Sequence, residues 1–68
     1  MDLKLTVNGA KHDHRGRGTA AALFRELGVD GRRVALVVNG DIVNRACRGK
    51  VRLKSGDSVE ILTYAGGG

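Results

Sequence analysis

Apolar and polar residues alternate through Leu3-Lys4-Leu5-Thr6-Val7, the period of a half-buried strand with Leu3, Leu5 and Val7 inward. Asn8-Gly9 comes next. Both central residues of a type I′ turn need φ > 0, so this dipeptide predicts a tight hairpin. The return strand, Ala10 to His14, is more polar and is expected at a sheet edge. Arg15-Gly16-Arg17-Gly18 reads as a loop. Thr19 is placed to N-cap a helix over Ala20–Leu27, where Ala20, Leu23, Phe24 and Leu27 make one apolar stripe. Gly28 stands where a left-handed residue would end it. Two turns of helix do not hold themselves, so the stripe must dock on a sheet. Val34-Ala35-Leu36-Val37-Val38 is a second strong strand, Asn39-Gly40-Asp41 a turn, and Ile42-Val43 a short strand. Arg45 to Lys54 is irregular and basic. Ser55-Gly56-Asp57 is a turn, with Asp57 expected in an Asx-type bond, and Ser58 to Tyr64 is the last strand. This order predicts an α+β fold, a mixed sheet with one helix across one face.

Periodicity also assigns faces. With Val34, Leu36 and Val38 against the helix, Ala35 and Val37 face away. With Val59, Ile61 and Thr63 inward, Leu62 and Tyr64 point outward. If the two strands are neighbours, Ala35, Val37, Leu62 and Tyr64 form an exposed apolar patch of the kind that marks a partner site.

Sixty-eight residues make one domain. A chain near this size buries only about 60% of its unfolded surface, which argues against a deep enzyme pocket. Cys47 is the single cysteine, so no disulfide forms, and a reducing compartment is the better fit. No apolar run approaches the ~20 residues of a membrane span, and Met1-Asp2-Leu3-Lys4 lacks a signal-peptide core. The expectation is a cytoplasmic protein, monomeric alone.

The net charge of +5 raises nucleic acid as a partner. Only Phe24 and Tyr64 are aromatic, which leaves no stacking platform. Arg48, Lys50, Arg52 and Lys54 fall at every second position, with Arg45 nearby. On an extended segment they would share a face, read here as a solvated, charge-protected edge. Steering toward an acidic partner is a second use of that face. His12 and His14 share a strand face with Asp13 opposite; no third metal ligand is evident, so no metal site is assigned and both are expected to be exposed. Cys47 is read as a small buried hydrophobe without chemistry. Gly16 and Gly18 precede a helix, but the spacings of phosphate-binding loops are absent.

The remaining feature is Tyr64-Ala65-Gly66-Gly67-Gly68. A glycine stem adopts nearly any φ and enters slots too narrow for side chains, which makes the Gly68 carboxylate the candidate reacting group. Three segments together resemble the ubiquitin-like sulfur carriers of the ThiS type. They are Val34 to Val43 with its Val-Asn-Gly-Asp turn, Leu53 to Leu62 with its Ser-Gly-Asp-Ser-Val-Glu-Ile run, and Ala65-Gly66-Gly67-Gly68. The resemblance implies a ubiquitin-like β-grasp domain over residues 1–64 and a flexible glycine tail over 65–68. It implies a co-substrate rather than an enzyme. An E1-like adenylating enzyme would use ATP to activate Gly68, with no cofactor bound by this chain. A persulfide donor of cysteine desulfurase or rhodanese type would convert it to a thiocarboxylate, and thiazole synthase would take the sulfur for thiamine. Gly66 and Gly67 would thread the partner's channel. Four residues past Tyr64 reach at most ~13–14 Å. Ordering three glycines costs about 3–6 kcal/mol, so the folded body must supply docking energy. Carriers for tRNA thiolation or molybdopterin synthesis share the pattern. A basic β-grasp module binding nucleic acid is the alternative of another class.

Overall fold

The computed structural model describes residues 2–63. Tyr64, one of the four residues of the anticipated patch, and Ala65 to Gly68 lie outside the described residues. Strands β1 (Leu3–Val7) and β2 (Ala10–His14) are followed by α1 (Ala20–Leu27), then β3 (Val34–Val38), β4 (Asp41–Val43) and β5 (Ser58–Thr63). They form one five-stranded sheet in the order β2-β1-β5-β3-β4. β1 and β5 run parallel and every other neighbouring pair is antiparallel. This is the β-grasp arrangement: a mixed sheet with one helix packed across one face.

Both hairpins turn on Asn-Gly. Asn8 has φ 50° and Gly9 83°; Asn39 has φ 52° and Gly40 86°. These left-handed pairs match the twist of the flanking strands, so two residues suffice. Each asparagine also bonds β5 with its side chain. Asn8 Nδ2 donates to the Ile61 carbonyl at 3.2 Å, and Ile61 N–H donates to Asn8 Oδ1 at 2.7 Å. Asn39 Oδ1 accepts from Ser58 N–H at 2.9 Å, while Asn39 Nδ2 donates to Asp57 Oδ1 at 3.0 Å. Asp57 is buried. Its expected local bond runs backwards, Oδ2 accepting from Lys54 N–H at 2.9 Å.

The helix begins at Thr19, whose Oγ1 accepts from Ala22 N–H, and ends at Gly28 with φ 70°. Ala20, Leu23 and Phe24 enter a core completed by Leu5, Val34, Leu36, Leu53 and Val59. Leu27 packs against its margin. Thr63, expected inward, is exposed: the alternation of β5 runs past the end of the core.

The basic segment departs most from expectation. Arg45–Cys47 is a 3-10 turn, and the Cys47 carbonyl accepts from both Lys50 N–H (2.9 Å) and Val51 N–H (3.1 Å). The chain there is coiled, so Arg48, Lys50, Arg52 and Lys54 do not share an extended face. Arg48 turns inward and is only 9% exposed. Its guanidinium donates to the Gly31 carbonyl and, at 2.6 Å, to the Val34 carbonyl, and it lies 5.5 Å from the Phe24 ring centroid. A Cβ at Gly31 would come to 2.8 Å from the Phe24 ring, so any larger residue there would force that buried ring to shift. Cys47, read as buried, is exposed.

Candidate functional site

Of the anticipated patch, Ala35, Val37 and Leu62 are described, and by register and alternation they lie on the sheet face away from the core. The β3–β5 register sets Ala35 opposite Leu62 and Val37 opposite Glu60. Ala35 and Val37 are half-buried, whereas Leu62 is 52% exposed. The same register pairs Val34 with Thr63, the last described residue. The described part of β5 thus ends one position beyond Leu62. The patch extends further than the sequence reading placed it. Val37 pairs with Ile42 on β4, and Ile42 is 77% exposed. The signal was available: a two-residue Asn39-Gly40 loop fixes Val38 opposite Asp41 and hence Val37 opposite Ile42.

A second cluster was missed altogether. His12 and His14 do share a face of β2, but Glu26 of α1 reaches them both. Glu26 Oε2 lies 2.6 Å from His14 Nδ1 and 2.9 Å from His12 Nε2, and Glu26 Oε1 accepts from Arg15 N–H at 3.1 Å. His14 is fully buried rather than exposed, and its Nε2 lies 2.5 Å from the Arg17 carbonyl. Gly16 makes room for the ring: a Cβ there would approach His14 Cε1 to 3.1 Å.

Both partners of the His14 ring are acceptors, so the metal-free site holds an imidazolium. Burial opposes charging His14. The hydrogen bond to Glu26, the bond to the Arg17 carbonyl and the carboxylate's charge outweigh it and raise the group above its usual 6.5. Glu26 is lowered from 4.5 to about 2, first by its bond to His14, then by His12 and the Arg15 N–H. The signs bound a window. A lowered carboxyl adds stability above 4.5 that is lost as pH falls toward 2; a raised imidazole adds stability below 6.5 that is lost as pH climbs past its folded value. Chelator-treated protein should accordingly show its highest urea midpoint between pH 4.5 and 6.5, and Glu26→Gln should flatten both flanks. An unchanged midpoint from pH 5.5 to 8.5 would refute the His14 assignment.

No described helix is long and apolar enough to cross a membrane.

Comparison with known proteins gives a consistent answer. The ThiS family model matches residues 5–68. A thiazole synthase of Paramagnetospirillum magneticum is 39% identical over 66 residues, 97% of this chain and 20% of that protein. A thiazole synthase of Magnetococcus marinus is 32% identical over the same shares of the two chains. The chain thus spans about a fifth of the length of the curated relatives it matches. The crystal structure of a thiamine biosynthesis protein (ThiS) from Geobacter metallireducens superposes with a TM-score of 0.81 at 32% identity, covering all of both chains. A solution structure of a thiamine biosynthesis protein from the same organism gives 0.77 at 32% identity, covering 97% of this chain and 88% of that one.

Proposed function

The chain belongs to the ThiS family, and from that premise we propose that it is a sulfur carrier for thiamine thiazole synthesis, with Gly68 as the residue charged. The observation that carries the proposal is the row of apolar residues on the open sheet face, Ala35, Val37, Ile42 and Leu62, the last of them next but one in sequence to Tyr64 and the glycines that follow. A docking surface placed along the path to the reacting end lets binding energy from the folded body offset the ordering of the glycines. That is how binding remote from the chemistry serves a reaction at the end of a chain. The match of the family model through residue 68 supports including Ala65-Gly66-Gly67-Gly68 in the functional unit.

A carboxylate is a poor acyl donor because its oxygen is a poor leaving group. In the proposed cycle the Gly68 carboxylate oxygen attacks the α-phosphorus of ATP on an E1-like enzyme, and pyrophosphate leaves. The terminal sulfur of a persulfide donor then attacks the acyl carbon and AMP leaves, giving an acyl disulfide. A thiol attacks the donor-side sulfur of that S–S bond, so the thiocarboxylate leaves and the thiol and donor are left joined as a disulfide. The catalytic groups belong to the partners. This chain presents the carbonyl, with Gly66 and Gly67 in the partner's channel, and thiazole synthase receives the sulfur. The Paramagnetospirillum and Magnetococcus relatives are thiazole synthases several times longer than this chain, which supports that choice of acceptor.

Intact mass spectrometry tests the reading. The 68-residue chain, incubated with an E1-like enzyme of the thiamine pathway, ATP and a sulfur donor, is expected to exchange one oxygen for one sulfur, located at Gly68 by fragmentation. An unchanged mass from a mixture competent on another carrier would overturn it.

A further inference from the structure

We propose that His12, His14 and Glu26 form a binding site for a divalent transition metal of the zinc class, clamping edge strand β2 to helix α1. The inference is independent of the carrier reading. Its ground is the arrangement of donors. One ligand atom from each residue lies within 4.8 Å of the others, and Glu26 Oε2 is 2.6 Å from His14 Nδ1 and 2.9 Å from His12 Nε2. Among the described residues this is the group of histidine, cysteine and acidic side chains gathered closely enough to hold an ion.

A second observation points to a cation. The Arg17 carbonyl, 2.5 Å from Nε2, can only accept, so it fixes the N–H of a neutral His14 ring on that nitrogen. The lone pair of Nδ1 then faces a carboxylate oxygen 2.6 Å away. Two acceptors at that distance require a positive species between them, a proton or a metal ion. His12 Nε2 addresses the same oxygen at 2.9 Å.

The surroundings are those of a supported metal site. Metal-ligating histidines commonly donate their other N–H to a backbone carbonyl, and ligating carboxylates are themselves hydrogen-bonded. Here the Arg17 carbonyl holds His14, and the Arg15 N–H holds Glu26 Oε1 at 3.1 Å, leaving Oε2 for the ion. The Arg15-Gly16-Arg17 loop thus orients two ligands at once, which gives a use to a glycine-bearing segment that no phosphate motif explains. Zinc sits ~2.0–2.2 Å from nitrogen and oxygen ligands in a tetrahedron, which places the ligands about 3.3 Å apart. The present spacings of 2.6 and 2.9 Å need only a small opening. His12 and Glu26 are partly exposed, so both can shift and water can take the fourth position. Two imidazoles and one carboxylate favour zinc, copper or nickel over calcium and magnesium, which take oxygen alone.

The test uses tag-free, chelator-treated chain titrated with cobalt(II) chloride, then zinc chloride. A visible ligand-field spectrum of tetrahedral type should saturate at one equivalent and vanish on adding zinc. Zinc should raise the melting temperature. Cys47→Ser should behave as the parent, while His12→Ala, at a partly exposed position that should still fold, should weaken binding at least tenfold. Glu26→Gln should do the same. A spectrum that never saturates, binding unchanged in His12→Ala, or binding lost in Cys47→Ser would each overturn the site.

Discussion

Removing Gly67 and Gly68 is expected to abolish acyl-adenylate formation while leaving the folded domain intact. Two residues shorten the reach of the carboxylate by about 7 Å. A misplacement of ~1 Å at a reacting centre can already cost about 100-fold in rate, so the truncated chain should lose at least that much in ATP–pyrophosphate exchange with the activating enzyme. The core of Leu5, Ala20, Leu23, Phe24, Val34, Leu36, Leu53 and Val59 contains neither glycine, so the melting temperature should stay within about 2 °C of the parent. The contrast is Ile42→Lys with Leu62→Lys. Both positions are exposed, so the fold should survive, but a charge opposite Val37 and another opposite Ala35 should spoil docking. Loss of one or two interface anchors corresponds to roughly a 10- to 100-fold rise in KM with kcat nearly unchanged. Truncation should strike kcat and the patch variants KM. Exchange activity surviving the truncation would sink the carrier reading, because no other group on this chain has been assigned the chemistry. A basic nucleic-acid module would show the opposite, indifferent to the truncation.

The contrast between what was legible in the sequence and what was not has a physical origin. Strand pairing on either side of Asn8-Gly9 and Asn39-Gly40 follows by counting, because a two-residue loop with φ > 0 at both positions leaves one register. The helix is bounded by Thr19 and Gly28, whose roles are local. Two of the three segments that carry the family resemblance meet in space: Asn39 of the Val-Asn-Gly turn bonds Asp57 of the Ser-Gly-Asp turn across 18 positions of sequence. They hold β3 to β5, the two strands that carry Ala35, Val37 and Leu62. The Glu26 cluster was invisible because 12 residues and a loop separate it from His14, and nothing in the spacing reports that α1 crosses beside β2. The basic stretch misled for a different reason. Alternating charge mimics an edge strand, but one carbonyl, that of Cys47, accepts two N–H groups and coils the chain, and the coil turns Arg48 inward.

Arg48→Ala should therefore be the most destabilising single change among the basic residues, costing about 2–4 kcal/mol. The guanidinium holds the carbonyls of Gly31 and Val34, and each hydrogen bond from a charged donor contributes roughly 1.5–3 kcal/mol. Its removal strands the Val34 carbonyl at the start of β3 and strips contact from the Phe24 face. One relief partly offsets this: Arg48 Nε has no partner, and the substitution removes that uncompensated group. A domain of this size has on the order of 3–10 kcal/mol in total, so the loss is a large share of it. At ~4–8 °C per kcal/mol, the melting temperature should fall by roughly 8–32 °C. Arg48→Lys should recover only part, because an ammonium is not a planar fork that reaches two carbonyls. Lys50→Ala, at an exposed site, should shift stability by less than about 0.5 kcal/mol. Equal effects of Arg48→Ala and Lys50→Ala in thermal melts would return Arg48 to the solvated face. The distinction matters for the carrier, because Val34 is the residue that pairs with Thr63 where the described chain ends. Loosening that corner should blur the path from the docking strands to the charged end, so Arg48→Ala, assayed below its melting temperature, should also raise KM for the activating enzyme.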